Sequence, residues 1–406
     1  MTSLRASSHP CTSAFGRMRR AAIARRLTIA IATVLVIGFA ARAARAAAAA
    51  SAETQFTFAG GPRAIMKAPG VYEWRFLAKP GPTFYDKIAL HRIALGPRVR
   101  AHRAITVLYL PGTNMNGEVA VEDPRYSFQT YLATHGVDVW TMDYRTHFVP
   151  SGIPASTIAP VMKRWTNELF AGDIESAAEF ILNTTKSEKL FVAGFSRGAE
   201  FAYLFAAMHP EQVRGIVALD GFLPRHPTTQ QPRDRIVDDI GGAHLTFDKR
   251  RTLMQFVIDD PNGPAPIPKY KTARENLIHV VYDAKEFGGR GGLANPVDGH
   301  SDPVVLARLL IGYDRYWPAG QDFENPFTPP RLQALKASKI PVIAFSSTNI
   351  AADWPAWVVQ SAHSTGSDDV TFTKFPGWGH LDVLCGNAAE EDVFVKTLGW
   401  LKRHAK

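Results

Sequence analysis

Between residues 105 and 219 compact apolar runs alternate with amphipathic stretches, and few architectures accept that order. The runs 105–110, 137–142, 190–193 and 213–219 have the length and composition of buried strands. The stretches 126–134, 165–182 and 199–208 between them carry helical spacing. Strand, helix, strand repeated in this way predicts an α/β protein with a mostly parallel sheet and helices on both faces. Two earlier runs, 71–76 and 87–95, read as antiparallel strands. The alternation stops after residue 220. Residues 221–338 are rich in proline, glycine and aromatics, with helical spacing at 269–286 and 303–316 and no clear strand. It resumes with strands at 340–345 and 370–375, a helix from about Trp354 and a last helix at 389–401. The middle block is therefore an insertion between two sheet strands, at the carboxyl edge where ligands of such sheets bind. A separate domain is the competing reading, disfavoured because the sheet needs both flanks.

Charge does not point to a nucleic-acid surface. The 406 residues carry a formal net charge of +9, but eight arginines and no acidic residue fall in residues 1–52. That leaves about +1 for the rest by simple counting of charged side chains. The first segment reads as an export signal. A cationic stretch ends at Arg26, an apolar run covers 27–41, and Ala44-Arg45-Ala46 fits a small-x-small cleavage site. The run is short for a bilayer span, which takes about 20 residues. An uncleaved anchor is the alternative, and is the only membrane contact expected. Arg25-Arg26 also fits a twin-arginine signal. The organisation predicted is a signal peptide at 1–46, a first core part at 47–220, a cap at 221–338 and a second core part at 339–406. The two cysteines, Cys11 and Cys385, then leave one in the processed chain, and Cys385 follows an apolar stretch as a packed thiol would.

Chemistry concentrates at Gly194-Phe195-Ser196-Arg197-Gly198. A serine hydroxyl needs a base to become a nucleophile and must stand clear of the backbone. A sharp strand-to-helix turn achieves this and crowds the residues two before and two after the serine, where glycine is needed. Here the motif follows the run 190–193 and opens the helix 199–208, as that geometry demands. With this turn the sequence resembles the α/β-hydrolase family, over 105–219 and 340–401, with 221–338 in the place of a cap. The resemblance implies the α/β-hydrolase fold with a central sheet of about eight strands. It also implies a nucleophile at Ser196, a late histidine and an acid at a strand end. His380, in Gly377-Trp378-Gly379-His380-Leu381-Asp382 just past the run 370–375, matches the histidine. An imidazole is suited to take the serine proton and return it near neutral pH.

The acid is less direct. Its usual place, after the strand 340–345, is held by Asn349, which can orient an imidazole but cannot stabilise an imidazolium by charge. Asp220, at the end of the strand 213–219, is the first substitute, and Asp353 before Trp354-Pro355 the second. Asp353 is also where an N-cap would stand. Asp382 is expected to hold the histidine loop. The resemblance places one oxyanion donor at the N–H of Arg197 and the other after Pro111-Gly112, at Thr113 with Asn114 as the next candidate. The Arg197 side chain is expected to pair with a protein acid, or else to meet a substrate carboxylate. Tyr313, Tyr316 and Trp317 are expected in the core or against an apolar pocket. His91, His102 and His244 have no catalytic context. Gly288-Gly289-Arg290-Gly291-Gly292 lacks the strand and the Lys-Ser/Thr of a phosphate loop. No metal or cofactor motif is present.

These features predict an exported serine hydrolase acting on a small-molecule or lipid ester through an acyl-enzyme. Acyl transfer, lyase or cofactor-free peroxidase chemistry on the same fold is the second class, since fold does not choose reaction. A non-catalytic binding protein is the third, supported by Asn349.

Overall fold

The computed structural model describes residues 54–98, 105–224, 237–238, 245–283 and 289–405. Its backbone is ordered around a nine-stranded sheet, in the spatial order β1-β2-β3-β5-β4-β6-β7-β10-β11. The strands are β1 (Thr57–Ala64), β2 (Val71–Ala78), β3 (Ile88–Leu95), β4 (Thr106–Leu110), β5 (Asp138–Asp143), β6 (Leu190–Phe195), β7 (Val213–Leu219), β10 (Val342–Ser347) and β11 (Val370–Phe375). From β5 to β11 every pairing is parallel, while β1, β2, β3 and β5 pair antiparallel. The central strands β4, β5 and β6 are buried at every residue, which is why they read as largely apolar runs, with Thr106, Asp138, Thr141 and Asp143 as buried polar exceptions.

Helices cover both faces and split the core in two. One core contains Val107, Tyr109 and Phe191, the other Leu108, Leu110 and Val192. This follows from the alternation of side chains along each strand. The helices α1 (Phe128–Thr134), α2 (Ala155–Met162), α3 (Asn167–Thr185) and α4 (Arg197–Met208) belong to the first part of the chain. The return segment adds α9 (Trp354–His363), α10 (Asp382–Cys385) and α11 (Lys396–His404). A π-helical turn, Glu390–Val395, leads into α11 where one continuous α-helix is predicted.

β7 and β10 are paired neighbours, so the chain between them is an inserted helical region at the carboxyl edge. It holds α5 (Phe247–Asp259), α6 (Ala273–Tyr282), α7 (Pro303–Ile311) and α8 (Pro329–Ser338), the last packed on α4. It also contains a two-residue ribbon, β8 (Val237–Asp238) with β9 (Tyr316–Trp317), where no strand is expected. Two residues cannot express a period. The ninth sheet strand, β1, has a different cause. Its side chains are almost all exposed and it contains Gly60-Gly61-Pro62, so it has no buried face to pattern. Pairing with β2 across two register shifts is what makes it a strand.

Candidate active site

β6 delivers Ser196 to the carboxyl edge, and α4 leaves it at once. Ser196 stands at φ 54° and ψ −118°, outside the regions open to most L-residues. Such strain costs of order 1–3 kcal/mol and persists only where the surroundings impose it. They do so here. A Cβ at Gly194 would lie 2.1 Å from the Gly198 carbonyl oxygen, and one at Gly198 would lie 1.9 Å from that of Leu110. Both flanking glycines are thus required by close backbone approach, and the second brings the end of β4 against the start of α4.

Asp220, the residue after β7, is fully buried and also has positive φ, at 49°. Its Oδ2 accepts from His380 Nδ1 at 2.6 Å and from Ser347 Oγ at 2.7 Å. Its Oδ1 accepts from the Ser347 N–H at 2.8 Å and from Trp354 Nε1 at 3.0 Å. Four donors on a buried carboxylate hold it in one orientation and satisfy the charge. The imidazole is itself packed between the Phe195 ring, at 4.5 Å between centroids, and the edge of Trp354, at 5.6 Å.

The histidine loop is braced from two directions. From the end of β10, Asn349 Nδ2 donates to the Gly377 carbonyl at 2.7 Å, and Thr348 Oγ1 accepts the Gly377 N–H at 2.9 Å. Asn349 therefore holds the loop and does not touch the imidazole. From the insertion, the Gly292 carbonyl accepts the His380 N–H at 3.0 Å and the Leu293 carbonyl accepts the Leu381 N–H at 2.8 Å. Asp382 Oδ2 closes the arrangement, accepting from Gly379 N at 2.7 Å and Asn295 N at 3.0 Å. Burial pushes the Asp382 carboxyl up to about 6.

Beside Ser196 lies a cleft of about 240 Å³ lined by Thr113, Arg197, Glu200, Phe222, Asp322 and Trp354, among others. The Thr113 loop follows β4 and is tied at its base, where Tyr144 Oη donates to the Pro111 carbonyl at 3.1 Å. The Arg197 guanidinium pairs with Glu200 at 2.7 Å and with Asp322, so both its arms are occupied by protein acids. Burial raises the Glu200 carboxyl above its ordinary range, and Arg197 only partly offsets that.

Comparison with known proteins agrees with this fold. The family model described as alpha/beta hydrolase fold matches residues 105–240. A crystal structure of a lipase candidate from Sulfolobus solfataricus superposes with TM-score 0.69 at 24% identity, covering 86% of this chain and 99% of that one. The chain has the α/β-hydrolase fold. Remoter likenesses include a thermophilic esterase from Thermogutta terrifontis (TM-score 0.43, 15% identity, 80% and 97% covered). A carboxylesterase from Nitrososphaera gargenis is similarly remote (TM-score 0.45, 13% identity, 86% and 98% covered). No curated protein sequence matches the chain.

Within this α/β-hydrolase scaffold the other sequence candidates fall away from the imidazole. Asp353 is exposed, stands before α9 and makes no capping bond with its side chain. Tyr316 and Trp317 are buried. The Trp317 ring packs edge-on to Tyr144 and Phe170, 5.7 Å from each, and neither Tyr316 nor Trp317 lines the Ser196 cleft. Tyr313 is likewise buried. Cys385 is a buried thiol that burial pushes well up, donating weakly to the Leu381 carbonyl. His91 is buried between Glu73 and Asp143, at 2.7 and 2.9 Å. Burial opposes its charge, yet the two carboxylates outweigh that and push its pKa up to about 10. His102, His244, Gly288 and the leader through residue 53 lie outside the described residues. Among the described residues no helix is long and apolar enough to cross a membrane. Ser347 and Trp354 are the residues that sequence reasoning missed. Their role depends on meeting Asp220 across more than 120 positions, for which the sequence carries no local signal.

Proposed function

We propose that the protein is a serine hydrolase that cleaves a carboxylic ester through an acyl-enzyme, with Ser196 as nucleophile, His380 as base and Asp220 as acid. The observation that carries the reading is the 2.6 Å bond from His380 Nδ1 to a buried, four-fold bonded Asp220 on the same sheet edge as the strained Ser196. An ionised carboxylate only accepts, so Nδ1 keeps its proton and Nε2 is left as the free base. His380 Nε2 takes the Ser196 proton as Oγ attacks the ester carbonyl. Asp220 stabilises the imidazolium that forms. The Thr113 and Arg197 N–H groups receive the oxyanion, where a donor of this kind is worth about 3 kcal/mol. The imidazolium then protonates the departing alcohol, and water repeats the sequence to release the acid. The likeness to the lipase candidate from Sulfolobus solfataricus supports a small-molecule or lipid ester as substrate.

A fluorophosphonate probe tests this directly. The folded protein is expected to be labelled and to turn over a short-chain aryl ester, and Ser196→Ala to abolish labelling and lower kcat by about 10⁵–10⁶-fold. Labelling that is absent, or equal in Ser196→Ala, rules the reading out. We further propose that the chain is exported and cleaved after Ala46. The amino-terminal sequence of protein recovered outside the cytoplasm decides between cleavage and an uncleaved anchor.

A further inference from the structure

The turn that carries Thr113 is not self-supporting. The Gly112 carbonyl accepts from the Met115 N–H at 3.0 Å, so Thr113 and Asn114 are the two central residues of a tight turn. Asn114 has φ 60°. A left-handed residue at that third position is tolerated by glycine and by asparagine, and disfavoured for others. The turn's own hydrogen bond leaves the Thr113 N–H unused, and Thr113 lines the cleft with Ser196. One bond and one unfavourable φ do not fix a peptide plane to the tolerance that an oxyanion donor needs.

The missing constraint comes from the insertion. The Asp314 N–H donates to the Asn114 carbonyl at 2.7 Å, and Asn114 Nδ2 donates back to the Asp314 carbonyl at 3.1 Å. This pair holds a fully buried Asn114 by main chain and side chain together. Two residues on, Asn116 Nδ2 donates to Asp314 Oδ1 at 3.1 Å and to the Gly312 carbonyl at 2.8 Å. The same Oδ1 is fixed from behind by His147 Nδ1 at 2.9 Å. Further along this segment, Asp322 pairs with Arg197, whose N–H is the other oxyanion donor in the reading above. One stretch of the insertion therefore grips both sides of the proposed hole.

We propose that Asp314 is a positioning residue for the oxyanion hole, holding the Thr113–Asn114 turn through its bonds to Asn114 and Asn116. The proposal rests on the serine-hydrolase reading. It gives the insertion a part in transition-state stabilisation, apart from any part in substrate choice.

The test compares an oxo-ester with the thiono-ester of the same acyl group and alcohol. Aligned N–H donors favour oxygen over the larger, weakly accepting sulfur, so the ratio of kcat/KM values reports the hole itself. A structural loss that merely lowers the amount of active enzyme moves both rates equally. Asp314→Ala leaves its main-chain bonds to Asn114 in place and removes the carboxylate that anchors Asn116 and His147; it is expected to narrow the oxo/thiono ratio by about tenfold, a modest displacement by the measure of misplaced catalytic groups. Asp314→Asn keeps an oxygen for Asn116 and His147 and is expected to restore the ratio to within about threefold, that oxygen accepting as a neutral amide does. If Asp314→Ala does not fold, Asn114→Gly serves, since it accepts the left-handed backbone but removes the Asn114 Nδ2 bond to Asp314. It is expected to narrow the ratio too. A ratio equal to wild type in a folded variant whose Ser196 titrates fully with fluorophosphonate overturns the proposal alone. Absent turnover in the wild type overturns the hydrolase reading and the proposal with it.

Discussion

Asp220 carries four hydrogen bonds, and each of its donors has a second task. His380 is the proposed base, Ser347 ends β10, and Trp354 opens α9 and walls the cleft. Removing the charge while keeping the shape isolates what the carboxylate does. Asp220→Asn is expected to lower kcat by about 10⁴-fold with KM little changed, because the amide presents the wrong partner to Nδ1 and cannot stabilise the imidazolium. Asp353→Asn, at an exposed side chain, is expected to stay within about twofold, as surface changes away from special contacts do. Steady-state kinetics on one aryl ester compares the two. Trp354→Phe retains the ring against His380 but drops one donor to Asp220. A loss of about tenfold in kcat/KM is expected, the size of one hydrogen bond to a charged group.

At the scale of elements, the loop after β10 has exchanged roles with the end of β7. Ser346-Ser347-Thr348-Asn349 supplies no acid; it supplies the donors that hold Asp220 and the groups that hold Gly377. Asn349→Ala is therefore expected to loosen the histidine loop, with a stability loss of about 1 kcal/mol for the lost half-buried bond and a fall in kcat. Denaturant unfolding and kinetics on the same sample separate the two effects. The glycine-rich stretch that had no assignment finds one here. Its described part, Gly289 to Gly292, leads into carbonyls that anchor His380 and Leu381.

For the whole molecule, a buried ionic cluster sits away from the cleft, where β2, β3 and β5 join through Glu73, His91 and Asp143. His91 has its pKa raised from 6.5 to about 10. Its stabilising contribution is complete below pH 6.5 and is lost as pH rises through about 10. Glu73 and Asp143 are shifted the other way. Burial opposes this, but the facing imidazolium lowers both, so their contribution is lost only as pH falls below the ordinary carboxylate range. The melting temperature is expected to be highest between these limits and to decline from pH 7 to pH 10. His91→Gln is expected to cost more stability at pH 7 than at pH 10, which thermal unfolding at the two pH values checks.

What the sequence determined by itself was local. Apolar runs of strand length revealed the parallel strands, because a strand buried on both faces is predominantly apolar. The proposed nucleophile was legible because a sharp turn forces glycines at fixed offsets around Ser196, and the proposed base, His380, because it follows a strand at a glycine-rich loop. β1 was not legible, since an exposed edge strand has no hydrophobic pattern and exists through its pairing with β2. The proposed acid was left among Asp220, Asp353 and Asn349, since all three stand at element ends. Only tertiary structure set Asp220 against the imidazole, with Ser347 and Trp354 around it and Asp314 across from Asn114. Those contacts join positions far apart in the chain, and neither partner's type is restricted by its own neighbours. They come into being when the sheet closes and the insertion folds back over its carboxyl edge.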